Sequence, residues 1–375
     1  MEETPWGFKS PLAHWGGPPT VIRGTSAPLR PASPALHPPP RASDPVRPPG
    51  DDVRILVTGA TGFIGREVAR QLAADGARPR LMVRRPTRAG LLADVDAEVV
   101  HGDLTVPETL PRAVAGCDAI IHLGGRATFE PARRLESTFV HGTRALAAAA
   151  AAAGVRRFVF GSSLLVHGPS EDAIVADTPP DPAIDYGRVK LRMEQELAAR
   201  GDLSVASIRL PHVYGAGDQL FANVRRGVLL LPGRADHPFS HLHVHDAARV
   251  LIAAARGAWE GACGIGDRDP ADWSRFLGVL QHHLPGLVVI RLPAPLAIAG
   301  TALMRTVRSR LRTPDIFTPD TVRAWNMPLW VDPDLLWDEL GLRPEVPDVT
   351  VGIPRTLDDL VDREWRHPVR DRRRV

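Results

Sequence analysis

From Val53 onward the sequence predicts an α/β fold, a doubly wound parallel sheet followed by a smaller, mostly helical C-terminal lobe. Three observations lead there. Short apolar segments alternate with stretches of helical length, the pattern of parallel strands with helices on both faces. A glycine-rich turn separates the first strand from the first helix. Beyond Arg209 the alternation loosens into Pro-broken segments that hold six of the eight tryptophans.

The strands read as Arg54–Thr58, Arg80–Val83, Ala97–His101, Ala119–Leu123, Phe158–Phe160 and Val205–Leu210. Gly65–Asp75 reads as a helix stopped by Gly76, and the Ala-rich Arg144–Ala153 is a strong helix former. In the second half, helices are expected at 246–256 with Asp246 as N-cap, and at 271–284, 296–311, 333–340 and 355–365. The longest apolar run, Leu292 to Met304, is interrupted by Pro293 and Pro295. It is too short to span a bilayer and reads as a buried or groove-lining helix, so no integral membrane span is expected. The N-terminus lacks a secretory pattern, and Cys117 and Cys263 read as small core residues. A cytoplasmic protein is expected.

The pI near 9.3 suggests nucleic acid until the charge is located. Residues 1–50 carry five cations against three acids, and the tail 363–375 carries six arginines against two acids. The span between them is therefore net negative, which argues against a nucleic-acid face. Residues 1–50, dense in proline, read as a disordered extension, and 367–375 as a basic tail.

Thr58-Gly-Ala-Thr-Gly-Phe-Ile-Gly65 carries Gly59, Gly62 and Gly65 between strand and helix. Glycine permits the tight bend and close backbone approach, and free N–H groups at the helix start attract a pyrophosphate. Gly59, Thr61, Gly62, Phe63, Ile64 and Gly65 are thus candidate dinucleotide contacts. The second strand ends Arg84-Arg85-Pro86 with no acid for the ribose hydroxyls. Two guanidiniums suit a 2′-phosphate, so NADP(H) is favoured over NAD(H).

Only two of the 46 basic residues are lysine, Lys9 and Lys190, and the tyrosines are Tyr186 and Tyr214. Tyr186 and Lys190 stand four apart on one predicted helix, so phenol and ammonium share a face. A phenol titrates near 10 alone. The neighbouring ammonium and the positive nicotinamide ring of an oxidised cofactor are both expected to lower it, making the pair a proton relay to a substrate oxygen.

Taken together, TGATGFIG at 58–65, HGDL at 101–104, HLGG at 122–125, VFGSSLLVHG at 159–168, YGRVK at 186–190, RLPHVYG at 209–215 and HVHDAA at 243–248 occur in one order. On these the chain resembles an extended short-chain dehydrogenase/reductase, the group of nucleotide-sugar epimerases and dehydratases, dihydroflavonol-type reductases and 3β-hydroxysteroid dehydrogenases. The resemblance implies a Rossmann-type domain over 51–210, with parts of 239–257 returning to it, and a mostly substrate-binding lobe over 211–366. It implies Ser163 as the serine that binds the reacting oxygen, with Ser162 as the fallback, Tyr186 as acid/base and Lys190 as its activator. Asp103 and Leu104 resemble the pair beside the adenine. Leu123 and Gly124 lie where the chain passes the ribose, and Pro211, His212 and Val213 resemble the segment at the carboxamide. Homodimers formed through the Ala-rich helix and the Tyr186 helix are also implied.

The departures bear on substrate. His212 replaces the usual Asn, no arginine precedes the HV motif in His237–His243, Phe139 replaces an Asn, and His167 replaces a Tyr. Loss of diphosphate-gripping groups points toward a smaller or more apolar ketone, aldehyde or alcohol, although Arg225, Arg226 or Arg234 could supply charge. His241, His243 and His245 read as alternating along one strand, about 7 Å apart, which is too wide for a chelated metal. The leading reading is hydride transfer on a carbonyl or secondary alcohol of a small molecule. The alternatives are a nucleotide-sugar epimerase/dehydratase and a non-catalytic dinucleotide sensor.

Overall fold

The computed structural model describes residues 53–125, 129–224, 227–311 and 318–362, without side chains for 304–311, 361 and 362. The expected Pro-rich extension, the basic tail, Arg225 and Arg226 lie outside the described residues.

Seven strands form one parallel sheet: β1 Ile55–Thr58, β2 Arg80–Val83, β3 Glu98–His101, β4 Ala119–His122, β5 Arg157–Ser163, β6 Ser204–Leu210 and, after three further strands, β10 Gly261–Gly264. The three are β7 His212–Tyr214, β8 Val228–Pro232 and β9 His241–His243, and β11 Val288–Leu292 follows. The sheet order is β10-β6-β5-β4-β1-β2-β3, with the switch in direction between β1 and β4. In open sheets of this kind ligands bind at the carboxyl ends of the strands at that switch.

The helices are α1 Phe63–Ala74, α2 Leu110–Val114, α3 Ala132–Leu135, α4 Gly142–Ala152, α5 Asp185–Ala198, α6 Gln219–Val224, α7 Val244–Arg256, α8 Trp273–His283, α9 Ala294–Leu311, α10 Pro319–Trp325, α11 Leu335–Glu339 and α12 Val349–Asp362. A π-helical stretch, Glu136–His141, joins α3 to α4.

Each central strand is apolar on both faces, and its residues divide by alternation. Ile55, Val57, Ile121 and Val159 pack with Val68 and Leu72 of α1 and Val250 and Leu251 of α7. Leu56, Ile120, Phe158 and Phe160 pack with Leu110 of α2, Leu146 of α4 and Met193 and Leu197 of α5. Helices on both faces make the sheet doubly wound, as the alternation predicts. A further cluster in the second half unites Tyr214, Leu220, Leu231, Trp273, Phe276, Val331 and Ile353. Cys117 and Cys263 are buried and free.

Several local expectations are corrected. The strand Gly261–Gly264 was not legible because two glycines disfavour β structure, and pairing with β6 imposes it. Asp246 does not cap α7. The His243 imidazole does so, accepting from the His245 N–H at 3.2 Å. The buried Asp246 carboxylate instead accepts the Val346 N–H at 2.8 Å. His245 lies in α7, so only His241 and His243 share a strand. The final helix begins at Val349 and contains Pro354, six residues before its expected start. The run ending at Met304 presents Leu296 and Leu303 to solvent.

Candidate active site

The glycine turn sits at the switch point. Gly59 has φ +71°, and a Cβ there would lie 2.6 Å from the carbonyl oxygen of Leu123, so the β1 and β4 exits meet backbone to backbone. The Leu123 N–H donates to the Thr58 carbonyl at 3.2 Å. Gly62 forms the N-cap of α1, with no side chain bonded to the helix start and no acid in its first turn. Gly65 is buried in that turn, and Thr61, Phe63 and Ile64 are half-buried around it. Backbone N–H groups, a positive helix end and space kept by glycine fit a dinucleotide pyrophosphate.

A buried hydrogen-bond chain holds this junction. The Gly124 N–H donates to Thr58 Oγ1 at 3.0 Å. His122 Nδ1 lies 2.7 Å from the same hydroxyl, and its Nε2 lies 3.0 Å from Thr143 Oγ1 on α4. Burial, reinforced by the Lys190 charge, pushes His122 down to about 3, so the ring is neutral. The network assigns Thr58 as donor to Nδ1 and Nε2–H as donor to Thr143. Sequence reasoning passed over His122 and Thr143, whose only signal is a polar residue inside an apolar strand and another on a helix packed against it.

Other candidate contacts fall around this turn. Arg84 and Arg85 follow β2, both exposed, and neither has an ion-pair partner among the described residues. Asp103 accepts from the Thr105 N–H and hydroxyl, at 2.9 and 2.8 Å, and so braces its own turn. Leu104 is buried and stands against Gly124 and Gly142. Pro211, His212 and Val213 are half-buried at the β6–β7 junction. The His212 ring packs 4.8 Å from Trp273, and its Nδ1 lies 3.0 Å from Nδ1 of His241.

Tyr186 and Lys190 lie on α5, which crosses the end of β5. Gly187 makes this possible: a Cβ there would stand 1.9 Å from the Leu165 carbonyl oxygen, so the helix rests directly on the turn that follows the strand. Lys190 Nζ donates to the Gly161 carbonyl at 2.6 Å and lies 4.6 Å from the ring centroids of Phe139 and Phe160. Phe139, noted as a departure, therefore walls the lysine. The Tyr186 ring is half-buried and meets Phe129 and Phe139 edge-on, at 5.5 and 5.9 Å. Beside Phe129 opens a cavity of about 280 Å³, also lined by Pro131, Asp185, Thr318, Pro319 and Arg323.

The electrostatics differ from the sequence expectation. Desolvation raises the Tyr186 phenol above its ordinary value, and no lowering by Lys190 offsets it. Burial lowers Lys190 to about 7, against an opposing pull from Glu194. The ammonium is 5.7 Å from the phenol ring centre and is committed to a carbonyl. Low dielectric acts on both groups before their mutual attraction does.

Ser162 and Ser163, adjacent on β5, have different surroundings. Ser162 donates to Glu194, which forms a buried ion pair with Arg209 at 2.8 Å. Arg209 also meets His167 Nε2 at 3.1 Å, and burial pushes that imidazole down to about 4. Ser163 ends the strand, its hydroxyl accepting the Leu165 N–H at 3.3 Å. Ser162 is therefore tied into a structural network, whereas Ser163 is at the strand end beside the turn under α5. Glu194 escaped sequence reasoning. Its signal was its place four residues after Lys190, on the inner face with Met193 and Leu197.

Among the described residues no group of three or more His, Cys, Asp or Glu is arranged to hold a metal, and no helix is long and apolar enough to cross a membrane.

Comparisons with known proteins bear on the family and the fold. The profile of the NAD dependent epimerase/dehydratase family matches residues 55–264. A ceramide reductase of Caulobacter vibrioides is 33% identical over 270 residues, covering 70% of this chain and 81% of that protein. A 3-beta-hydroxysteroid dehydrogenase of Mycolicibacterium neoaurum is 32% identical over 250 residues, covering 60% of this chain and 68% of that one. The solved structure of MoeE5 in complex with UDP-glucuronic acid and NAD shares the fold, with a TM-score of 0.66 at 23% identity over 83% of this chain and 99% of the other. The chain is an enzyme that belongs to the NAD-dependent epimerase/dehydratase family, among the extended short-chain dehydrogenase/reductases.

Proposed function

We propose that this enzyme is an NADP(H)-dependent oxidoreductase acting on a carbonyl or secondary alcohol borne by an apolar substrate. The observation that carries the reading is the seating of α5 against the end of β5, through Gly187 on Leu165 and Lys190 on Gly161, beside Ser163. When bound, the nicotinamide supplies or accepts the hydride. The Ser163 hydroxyl holds the reacting oxygen, and Tyr186 exchanges a proton with it. A phenol kept protonated by burial is suited to donate to an oxygen gaining negative charge, as in carbonyl reduction. Lys190, seated on the Gly161 carbonyl, holds α5 and with it the phenol against the end of β5.

Arg84 and Arg85 support a 2′-phosphate on the cofactor, since no acid stands at that strand end. The lobe over 211–362 takes the substrate. His212, Phe239, His241, Trp273 and Phe276 pack together as an aromatic cluster in that lobe. Arg209 is held by Glu194, and Arg234 by Asp236 at 3.0 Å. The names of two relatives, a ceramide reductase and a hydroxysteroid dehydrogenase, point to lipid-like molecules. A homodimer would use the exposed faces of α4 and α5.

The test is NADPH oxidation in the presence of long-chain or polycyclic ketones, compared with titration of UDP- and dTDP-sugars. Net oxidation with the ketones is expected. Tight nucleotide-sugar binding with no net change in cofactor would replace this reading with an epimerase or dehydratase.

A further inference from the structure

Arg66 directly follows the last glycine of the glycine turn and is the fourth residue of α1. Side chains on a helix lean toward its N-terminus, so a residue at that position reaches back over the first turn. The guanidinium does so here. Its Nε donates to the carbonyl of Gly62, the N-cap of the helix, at 3.4 Å. Arg66 is thus half-buried beside the same N-terminus whose free N–H groups suit a pyrophosphate.

A segment distant in sequence fixes that pose. Between β7 and α6 the chain makes a tight turn, in which the Asp218 N–H donates to the Gly215 carbonyl at 3.0 Å. Gly215 and Gly217 hold φ +149° and +109°, conformations that favour glycine. A Cβ on Gly215 would stand 3.5 Å from the Phe63 ring. One on Gly217 would stand 3.0 Å from an outer nitrogen of Arg66 and 3.5 Å from the same ring. The turn therefore lies across the start of α1, against Phe63 and Arg66. The neighbouring acids are directed elsewhere: Glu67 to His245 at 3.4 Å, and Asp218 to His212 at 3.7 Å. A diphosphate brings more negative charge than the roughly half unit at a helix end offsets, and a guanidinium at this place supplies the difference.

We propose that Arg66 is a further cofactor-binding residue, whose guanidinium grips the diphosphate bridge and is held in place by the Gly215–Asp218 turn. The assignment rests on the dinucleotide site at the glycine turn. It is independent of the substrate and of the choice between NADPH and NADH.

The test is fluorescence titration of the cofactor-free protein with NADPH and NADH, and displacement by ADP-ribose, which keeps the diphosphate and lacks the nicotinamide. Arg66→Ala should raise the Kd of all three by about tenfold, and by the same factor. Arg66→Lys, which keeps the charge and loses the planar fork, should recover part of that loss. The Kd of the unaltered protein should rise more steeply with salt than that of Arg66→Ala. Gly217→Ala puts a methyl against the guanidinium. It should weaken binding in the unaltered protein and hardly at all in the Arg66→Ala background, with the melting temperature as a control for folding. An unchanged Kd in Arg66→Ala, a loss confined to NADPH, or ADP-ribose binding that does not weaken would each overturn the assignment. Failure of the unaltered protein to bind any of the three would overturn the dinucleotide site itself, and the assignment with it.

Discussion

Gly187 and Leu165 touch at a distance that no other residue type permits, since a Cβ on Gly187 would lie 1.9 Å from the Leu165 carbonyl oxygen. The contact sets how deeply α5 sits on the turn after β5, and through it the position of Tyr186. Gly187→Ala should displace the helix and lower kcat by roughly 100-fold, because misplacement near 1 Å costs that much in a preorganised site. Cofactor affinity, measured by fluorescence titration, should change much less.

The adjacent serines should separate by phenotype. Ser163→Ala removes a proposed contact to the reacting oxygen and should cut kcat by about 10²–10³-fold, with little change in melting temperature. Ser162→Ala removes a donor from the buried Glu194 carboxylate and should cost about 1–3 kcal/mol of stability. Its kcat should stay within a few-fold of the unaltered enzyme. The opposite pattern in denaturant melts and steady-state rates would assign the oxygen contact to Ser162.

Lys190 gives a pH signature. Its folded pKa is near 7, below its ordinary 10.5. Between these values the unfolded chain binds the extra proton, so the contribution of Lys190 makes stability rise with pH across that window. The limiting slope is about 1.4 kcal/mol per pH unit. Below pH 7 both states are charged and the penalty of burying the ammonium is fully present. Lys190→Met should remove the slope in urea melts from pH 7 to 10 on the cofactor-free protein.

Arg84 and Arg85 should decide the cofactor. Arg84→Ser with Arg85→Ser should raise the KM for NADPH by about tenfold or more, the loss of charge-assisted contacts to a phosphate. The KM for NADH should hardly move. Equal effects on both cofactors would place these residues outside the ribose site.

What was legible follows from how local each determinant is. Strands β1, β2 and β4 and the Phe158–Phe160 part of β5 announce themselves as short continuous apolar runs. Strand β10, with two glycines in four residues, is extended because it pairs with β6. Asp246 has the same root: its residue type predicts an N-cap, yet its carboxylate is claimed by backbone groups about a hundred residues later.

The sequence by itself determined the elements whose physics is contained in a few neighbouring residues. The glycine turn between strand and helix is one, and the four-residue spacing of Tyr186 and Lys190 on a helix face is another. Tertiary structure alone decided the rest. It tied Ser162 to Glu194, 32 positions away, and left Ser163 at the strand end. It also buried Lys190 among Phe139, Phe160 and the Gly161 carbonyl, so that desolvation governs the proton affinities of the pair. Spacing along a helix specifies which side chains share a face; the dielectric and partners they meet come from chain segments far away in sequence.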